Sequence, residues 1–181
     1  DVITFISKTE GLPDSHPWLP AANGYKYYSN GPRVHQYLME FKRDVLDCYD
    51  CFTVGESPLT TADIALQYVT EGPDQVLDEM IAFSHMEADC FMIDMVQLPF
   101  NLVKMKRAFS DWQYKLAGRG WNALYIENHD HPRIISRYGN EAYRNESGKM
   151  LAAMYMLQRG TPFIYQGQEI GMLNLRLPDV N

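Results

Sequence analysis

The apolar run Ala123-Leu124-Tyr125-Ile126 stops abruptly at Glu127-Asn128-His129-Asp130-His131, with Pro132 and Arg133 directly behind. Three more short runs end in the same way. Cys51 to Val54 leads into Gly55-Glu56, EMIAFSH closes on His85, and PFIY leads into Gln166 and on to Glu169. Short apolar runs without alternation, bounded by polar residues, read as strands covered on both faces, the habit of parallel sheets. Between them the spacing turns helical. RVHQYLMEFKRDVLDCYD sets Val34, Tyr37, Leu38, Phe41, Val45 and Leu46 at helical intervals. TTADIALQYVT starts a helix with Thr60 or Thr61 as its cap. In NLVKMKRAFSDWQYKLAG, Leu102, Met105, Phe109, Trp112 and Leu116 share a face, and Gly118 is a stop. NESGKMLAAMYMLQ is a fourth helix. A helix, then strand and helix three times, then a last strand defines the class as α/β.

The bulk values bound what such a chain does. Its 181 residues are enough for one domain with a core. With 16 basic against 23 acidic residues the net charge is −7, and no basic run occurs, so nucleic acid and anionic membranes are excluded as partners. No apolar stretch approaches the roughly 20 residues of a membrane span, and no signal-peptide pattern opens the sequence. Cys48 and Cys51 read formally as CxxC, but no second pair exists for a zinc ribbon; they are expected to be half-buried thiols kept reduced in a cytoplasm. Residues 9–32 carry enough Gly and Pro to predict a long irregular loop.

A lone glutamate after a strand is most often a cap or a solvated residue, and a lone His–Asp pair is most often a structural hydrogen bond. Recurrence at consecutive strand ends shifts the balance. In a parallel α/β barrel all carboxyl ends share one rim, and sites form there. Carboxylates paired on such a rim suit acid–base or nucleophilic work on acetals and esters.

The ordered segments DVITFISKTEGLPD, NGPRVHQYL, TVGESPLTT, FSHMEAD, WNALYIENHDHPRIISRYG and GTPFIYQGQEIGM resemble the oligo-1,6-glucosidase branch of the α-amylase superfamily. The resemblance covers almost the whole length. It implies that residues 1–181 are the C-terminal half of a (β/α)8 barrel, with the first half, an inserted subdomain and a C-terminal β-domain outside this sequence. It implies Asp1 as nucleophile, Glu56 as general acid/base and Asp130 as the third carboxylate. His129 is implied to bond sugar hydroxyls, with Asn128 beside it, and Val2 stands where valine accompanies α-1,6 preference. Arg133 is implied as a rim contact. At His131 the family commonly has Gln or an apolar residue, so this position on the leaving-group side bears on substrate choice.

The same resemblance implies a retaining reaction on a small α-glucan oligosaccharide, with the two reacting carboxyls about 5–5.5 Å apart. No cofactor and no metal are implied. The chain by itself is expected to be inactive and to self-associate through open half-barrel edges. Trehalose-6-phosphate hydrolysis, α-1,4-glucosidase action and sucrose isomerisation remain open, as does a non-catalytic amylase-like binding subunit. A phosphorylated substrate would need basic residues at the rim, for which Lys8, Arg133 and Arg137 are the candidates.

Overall fold

The apolar runs come together as one parallel sheet in the computed structural model of the chain, which describes residues 2–14, 24–91 and 96–176. Helices α1 (Tyr25–Tyr28) and α2 (Val34–Asp44) precede strand β1 (Val54–Glu56), and α3 (Ala62–Val69) leads to β2 (Glu79–Ile81). A short antiparallel pair, β3 (Cys90–Phe91) and β4 (Val96–Gln97), is followed by α4 (Leu102–Leu116) and β5 (Trp121–Leu124). Helices α5 (Ile134–Tyr138) and α6 (Arg144–Met156) then lead to β6 (Thr161–Pro162). The sheet order is β1-β2-β5-β6 with every pair parallel.

Register fixes where the strand tips lie. Glu56 stands level with Ile81, Ile81 with Ala123, and Ala123 with Thr161, so the four carboxyl ends form one edge. Paired residues point to the same face, which puts Glu56, Ile81, Ala123 and Thr161 on one side and Gly55, Met80 and Leu124 on the other. Helices cover that second side. Met80 packs with Ala65 and Tyr68 of α3 and Trp112 and Leu116 of α4; Leu124 packs with Ile134, Ile135, Leu151 and Tyr155.

Several boundaries differ from the expected ones, for physical reasons. Residues 51–53 stay outside the ladder, so Glu56 is the last residue of β1 and does not follow it. Strand β6 pairs with β5 at Thr161 and Pro162 alone, its last bond running from the Phe163 amide to the Leu124 carbonyl at 2.7 Å. Thr61, not Thr60, caps α3, its hydroxyl accepting from the Ile64 amide at 3.3 Å. Leu102 opens α4 at the surface, whereas Met105, Trp112 and Leu116 are buried as expected. Helix α1 and the β3–β4 pair are too short for periodicity to betray. Cys48 and Cys51 are exposed, not half-buried, because the chain leaves α2 into a 3-10 turn (Leu46–Cys48) on the surface.

His85 does not end a strand. It lies in the 3-10 segment Ser84–Asp89, fully enclosed, with Nε2 2.7 Å from the Tyr125 carbonyl and its ring stacked on Phe109 at 4.8 Å. Burial is the main cause that lowers its pKa from 6.5 to about 4, with His131 and Arg137 adding to the effect and the Tyr125 bond opposing it. The ring is therefore neutral in the fold, while the unfolded chain binds a proton there below pH 6.5. Stability is lost as pH falls from 6.5 towards 4, by about 3 kcal/mol at completion. The variant His85→Gln, which keeps a donor for Tyr125, is expected to show a flatter pH dependence of unfolding in urea over that window. An unchanged slope would remove His85 as the source.

Candidate active site

Glu56, half-buried at the tip of β1, accepts the Val2 amide on Oε2 at 3.1 Å. Val2 holds this contact with φ 31° and ψ 59°, in the left-handed region. A β-branched residue there costs about 1–3 kcal/mol, a strain that clusters at functional sites. The neighbouring residues lock the two segments together. Ser57 is buried and donates to the Thr4 hydroxyl at 3.1 Å, while also sharing a hydrogen bond with Thr60. Asn30 donates its amide to the Thr4 carbonyl at 2.9 Å. Gly31 allows the close crossing: a Cβ there would meet the Ser7 carbonyl oxygen at 2.0 Å.

At the tip of β5 the chain alternates between buried and exposed residues. Tyr125 and Ile126 stay buried, and so does Glu127, whose carboxylate takes the Ile134 amide at 2.8 Å and pairs with Arg133. Asn128 then folds its Oδ1 onto the Asp130 amide at 3.0 Å, an Asx turn. This turn presents the side chains of His129 and Asp130 outward, 65% and 52% exposed, with His129 Nε2 3.5 Å from Asp130 Oδ1. His131 turns back inside.

Val2 and Glu56 are thus brought together at one tip, and Asn128, His129 and Asp130 at another. Both groups stand on the same edge of the sheet, with β2 between their strands, so that the strand axes lie about 10 Å apart. Two carboxylates facing one edge can divide proton transfer and charge stabilisation between them. Asp1 lies outside the described residues. Glu79, an acid whose pKa burial raises, belongs to the opposite edge as the first residue of β2. A cleft of about 520 Å³ between α5, α6 and the segment after β6 is lined by Glu127, Arg144, Gln168 and Glu169, and includes neither Glu56 nor Asp130. Among the described residues no group of three His, Cys, Asp or Glu side chains could hold a metal ion.

Two residues expected at the rim face inward instead. Arg133 reaches Glu127, the Gln166 carbonyl at 2.7 Å and the Met172 sulfur at 3.0 Å, and its guanidinium covers the Tyr165 ring. It ties the tip of β5 to the segment after β6, because a carboxylate as buried as Glu127 needs a counter-charge. His131 is 9% exposed and sits beside Tyr125 and Phe83. Arg137 is likewise committed, as a bidentate partner of Asp89 at 2.6 and 2.9 Å. The supports Glu127 and Asp89 went unassigned in the sequence. An acid closing an apolar run, with an arginine six residues on, was the available signal for the first.

Parallel strands that gather their polar residues at one edge define an α/β protein of barrel-type design, a class in which sites form at the strand tips. Residues 1–180 match the family model of the α-amylase catalytic domain, and the chain belongs to that family. It is 45% identical to an oligo-1,6-glucosidase of Parageobacillus thermoglucosidasius, an alignment covering 99% of this chain and 33% of that protein. The crystal structure of Bacillus licheniformis trehalose-6-phosphate hydrolase is similar over 99% of this chain and 32% of its own, with TM-score 0.86 and 41% identity. The isomaltulose synthase of Klebsiella sp. LX3 is similar over 99% and 33%, with TM-score 0.88 and 30% identity. The chain therefore spans about a third of the length of the relatives it matches. No helix among the described residues is long and apolar enough to cross a membrane.

Proposed function

We propose that this chain supplies the second half of the (β/α)8 barrel of a retaining α-glucosidase that cleaves terminal α-1,6 bonds of isomaltose-type oligosaccharides. The observation that carries the reading is the placement of Glu56 and the Asn128–Asp130 turn on one edge of a parallel sheet, in a chain 45% identical to an oligo-1,6-glucosidase.

In this reading Asp1 attacks the anomeric carbon while Glu56 gives its proton to the leaving oxygen, and the glycosidic bond breaks. Glu56 then takes a proton from water, which releases the sugar from Asp1 with retained configuration. The exposed Asp130 and His129 bond ring hydroxyls more tightly as positive charge develops, and only such differential binding raises the rate. Val2 lines the floor beside Glu56. Asn128 acts through its turn.

Two of the three cations named for a phosphate, Arg133 and Arg137, already serve carboxylates of the fold, the buried Glu127 and the half-buried Asp89. This favours a neutral glucoside over a phosphorylated one. A non-catalytic binding role would leave Glu56 and an outward Asp130 without purpose. The test is an assay of the full-length protein on isomaltose, maltose, sucrose and trehalose-6-phosphate. Glucose release fastest from isomaltose, with the α-anomer appearing first by NMR, is expected. Preference for the phosphorylated disaccharide, or inversion, would displace the proposal.

On this reading the 181-residue polypeptide alone is inactive. It also associates, because β1 and β6 end the sheet and Trp121, on the face without helices, is 40% exposed alongside exposed Phe163 and Ile164. Light scattering of the purified polypeptide is expected to show dimers or larger species; a single monomeric species would contradict this. The exposed thiols of Cys48 and Cys51 fit a cytoplasmic location.

A further inference from the structure

We propose that His131 is a positioning residue that sets the orientation of Asp130 from behind. Asp130 lies on the outward part of a turn with two inward anchors, Glu127 on one side and His131 on the other. The first anchor is held by Arg133 and the Ile134 amide. The second is held by both ring nitrogens. Arg137 Nη1 lies 3.3 Å from Nδ1, and the Tyr125 hydroxyl lies 3.3 Å from Nε2.

A guanidinium only donates, so Nδ1 accepts and the ring carries its proton on Nε2. Arg137 is itself fixed, by its two bonds to Asp89 and a third to the Met86 carbonyl at 2.9 Å. Phe83 and Tyr125 hold the ring plane from the sides. The chain Asp89–Arg137–His131 thus runs from the 3-10 segment after β2, through α5, to the residue bonded directly to Asp130. Rotating or shrinking side chain 131 moves the peptide that carries Asp130. His131 itself, buried with both nitrogens engaged, does not face the edge where substrate would lie.

The kinetic arm of the test rests on the glucosidase reading; the crystallographic arm does not. In the full-length protein, His131→Phe keeps a ring and loses both nitrogens. His131→Gln keeps an oxygen to accept from Arg137 and an N–H to donate to Tyr125. A displacement of about 1 Å at a reacting group costs roughly 100-fold, and His131→Phe is expected to lose about that much kcat on isomaltose. KM is expected to stay within about threefold, the mark of an interaction made in the transition state. His131→Gln is expected to regain most of the loss. A raised KM at unchanged kcat would make His131 a substrate contact and overturn the proposal, as would equal losses in the two variants.

A crystal structure of His131→Phe gives the second arm. A displaced Asn128–Asp130 turn is expected, and a turn left in place overturns the positioning role whatever the kinetics. If the unmodified protein hydrolyses none of the four substrates, the glucosidase reading fails alone and this second arm still decides. Where His131→Phe does not fold, Tyr125→Phe removes only the hydroxyl bonded to Nε2 and is read by the same two measurements.

Discussion

Glu56→Gln in the full-length protein is expected to lower kcat on isomaltose by roughly 1,000-fold, the usual scale for losing a positioned proton donor. Glutamine keeps an oxygen for the Val2 amide, which now sits 3.1 Å from Glu56 Oε2, so the tip of β1 retains its geometry. What disappears is the proton. The loss should therefore shrink on a nitrophenyl glucoside, whose leaving group departs without protonation. Comparing kcat on the two substrates checks this. An equal loss on both would mean that Glu56 acts by charge or structure and is not the acid.

Arg133→Met is expected to destabilise the fold by about 3–5 kcal/mol, because it strands Glu127 as a buried charge. The Glu127 side chain is 1% exposed and that of Arg133 is 18% exposed. Methionine retains much of the packing against Tyr165 and loses every donor. Unfolding in guanidinium chloride measures the cost, and adding Glu127→Gln should recover a large part of it, since a neutral amide tolerates the loss of its partner better. A residue that only touched substrate at the rim would behave differently: KM would rise and the unfolding midpoint would stay put. An unchanged midpoint would return Arg133 to the rim.

The sheet was legible because burial on both faces leaves runs such as Ala123 to Ile126 with no alternation, and because polar residues crowd the ends. Its boundaries were not, since a parallel ladder depends on partners that no single run contains. Residues 51–53 and 125–126 flank or extend the apolar runs yet lie outside the sheet, and β6 keeps only two residues. At the site, the cluster Asn128–Asp130 was visible as a group, and the family motifs supplied Glu56. The directions of individual side chains were hidden. Within Glu127 to Arg133 the chain turns in, out and in again, because the Asx turn at Asn128 sends His129 and Asp130 to solvent while ion-pair and hydrogen-bond partners hold Glu127 and His131 inside. His131 and Arg133 share the composition of a rim and occupy the interior. His85 looked like another tip residue and instead wedges α4 against β5, because Phe109 and the Tyr125 carbonyl offer it a closed berth.

The Asx turn has a consequence for how sequences of this kind can change. Among the described residues, the side chains of its outward residues, His129 and Asp130, are bonded only to each other, whereas the residues flanking them are pinned. Variation at the tip is thus shielded from the penalty of unfolding, while variation one step to either side is not. Lineages could retune what the tip recognises through exchanges at His129 that leave melting behaviour untouched, while Asp130 would be held by its proposed chemistry alone and not by the fold.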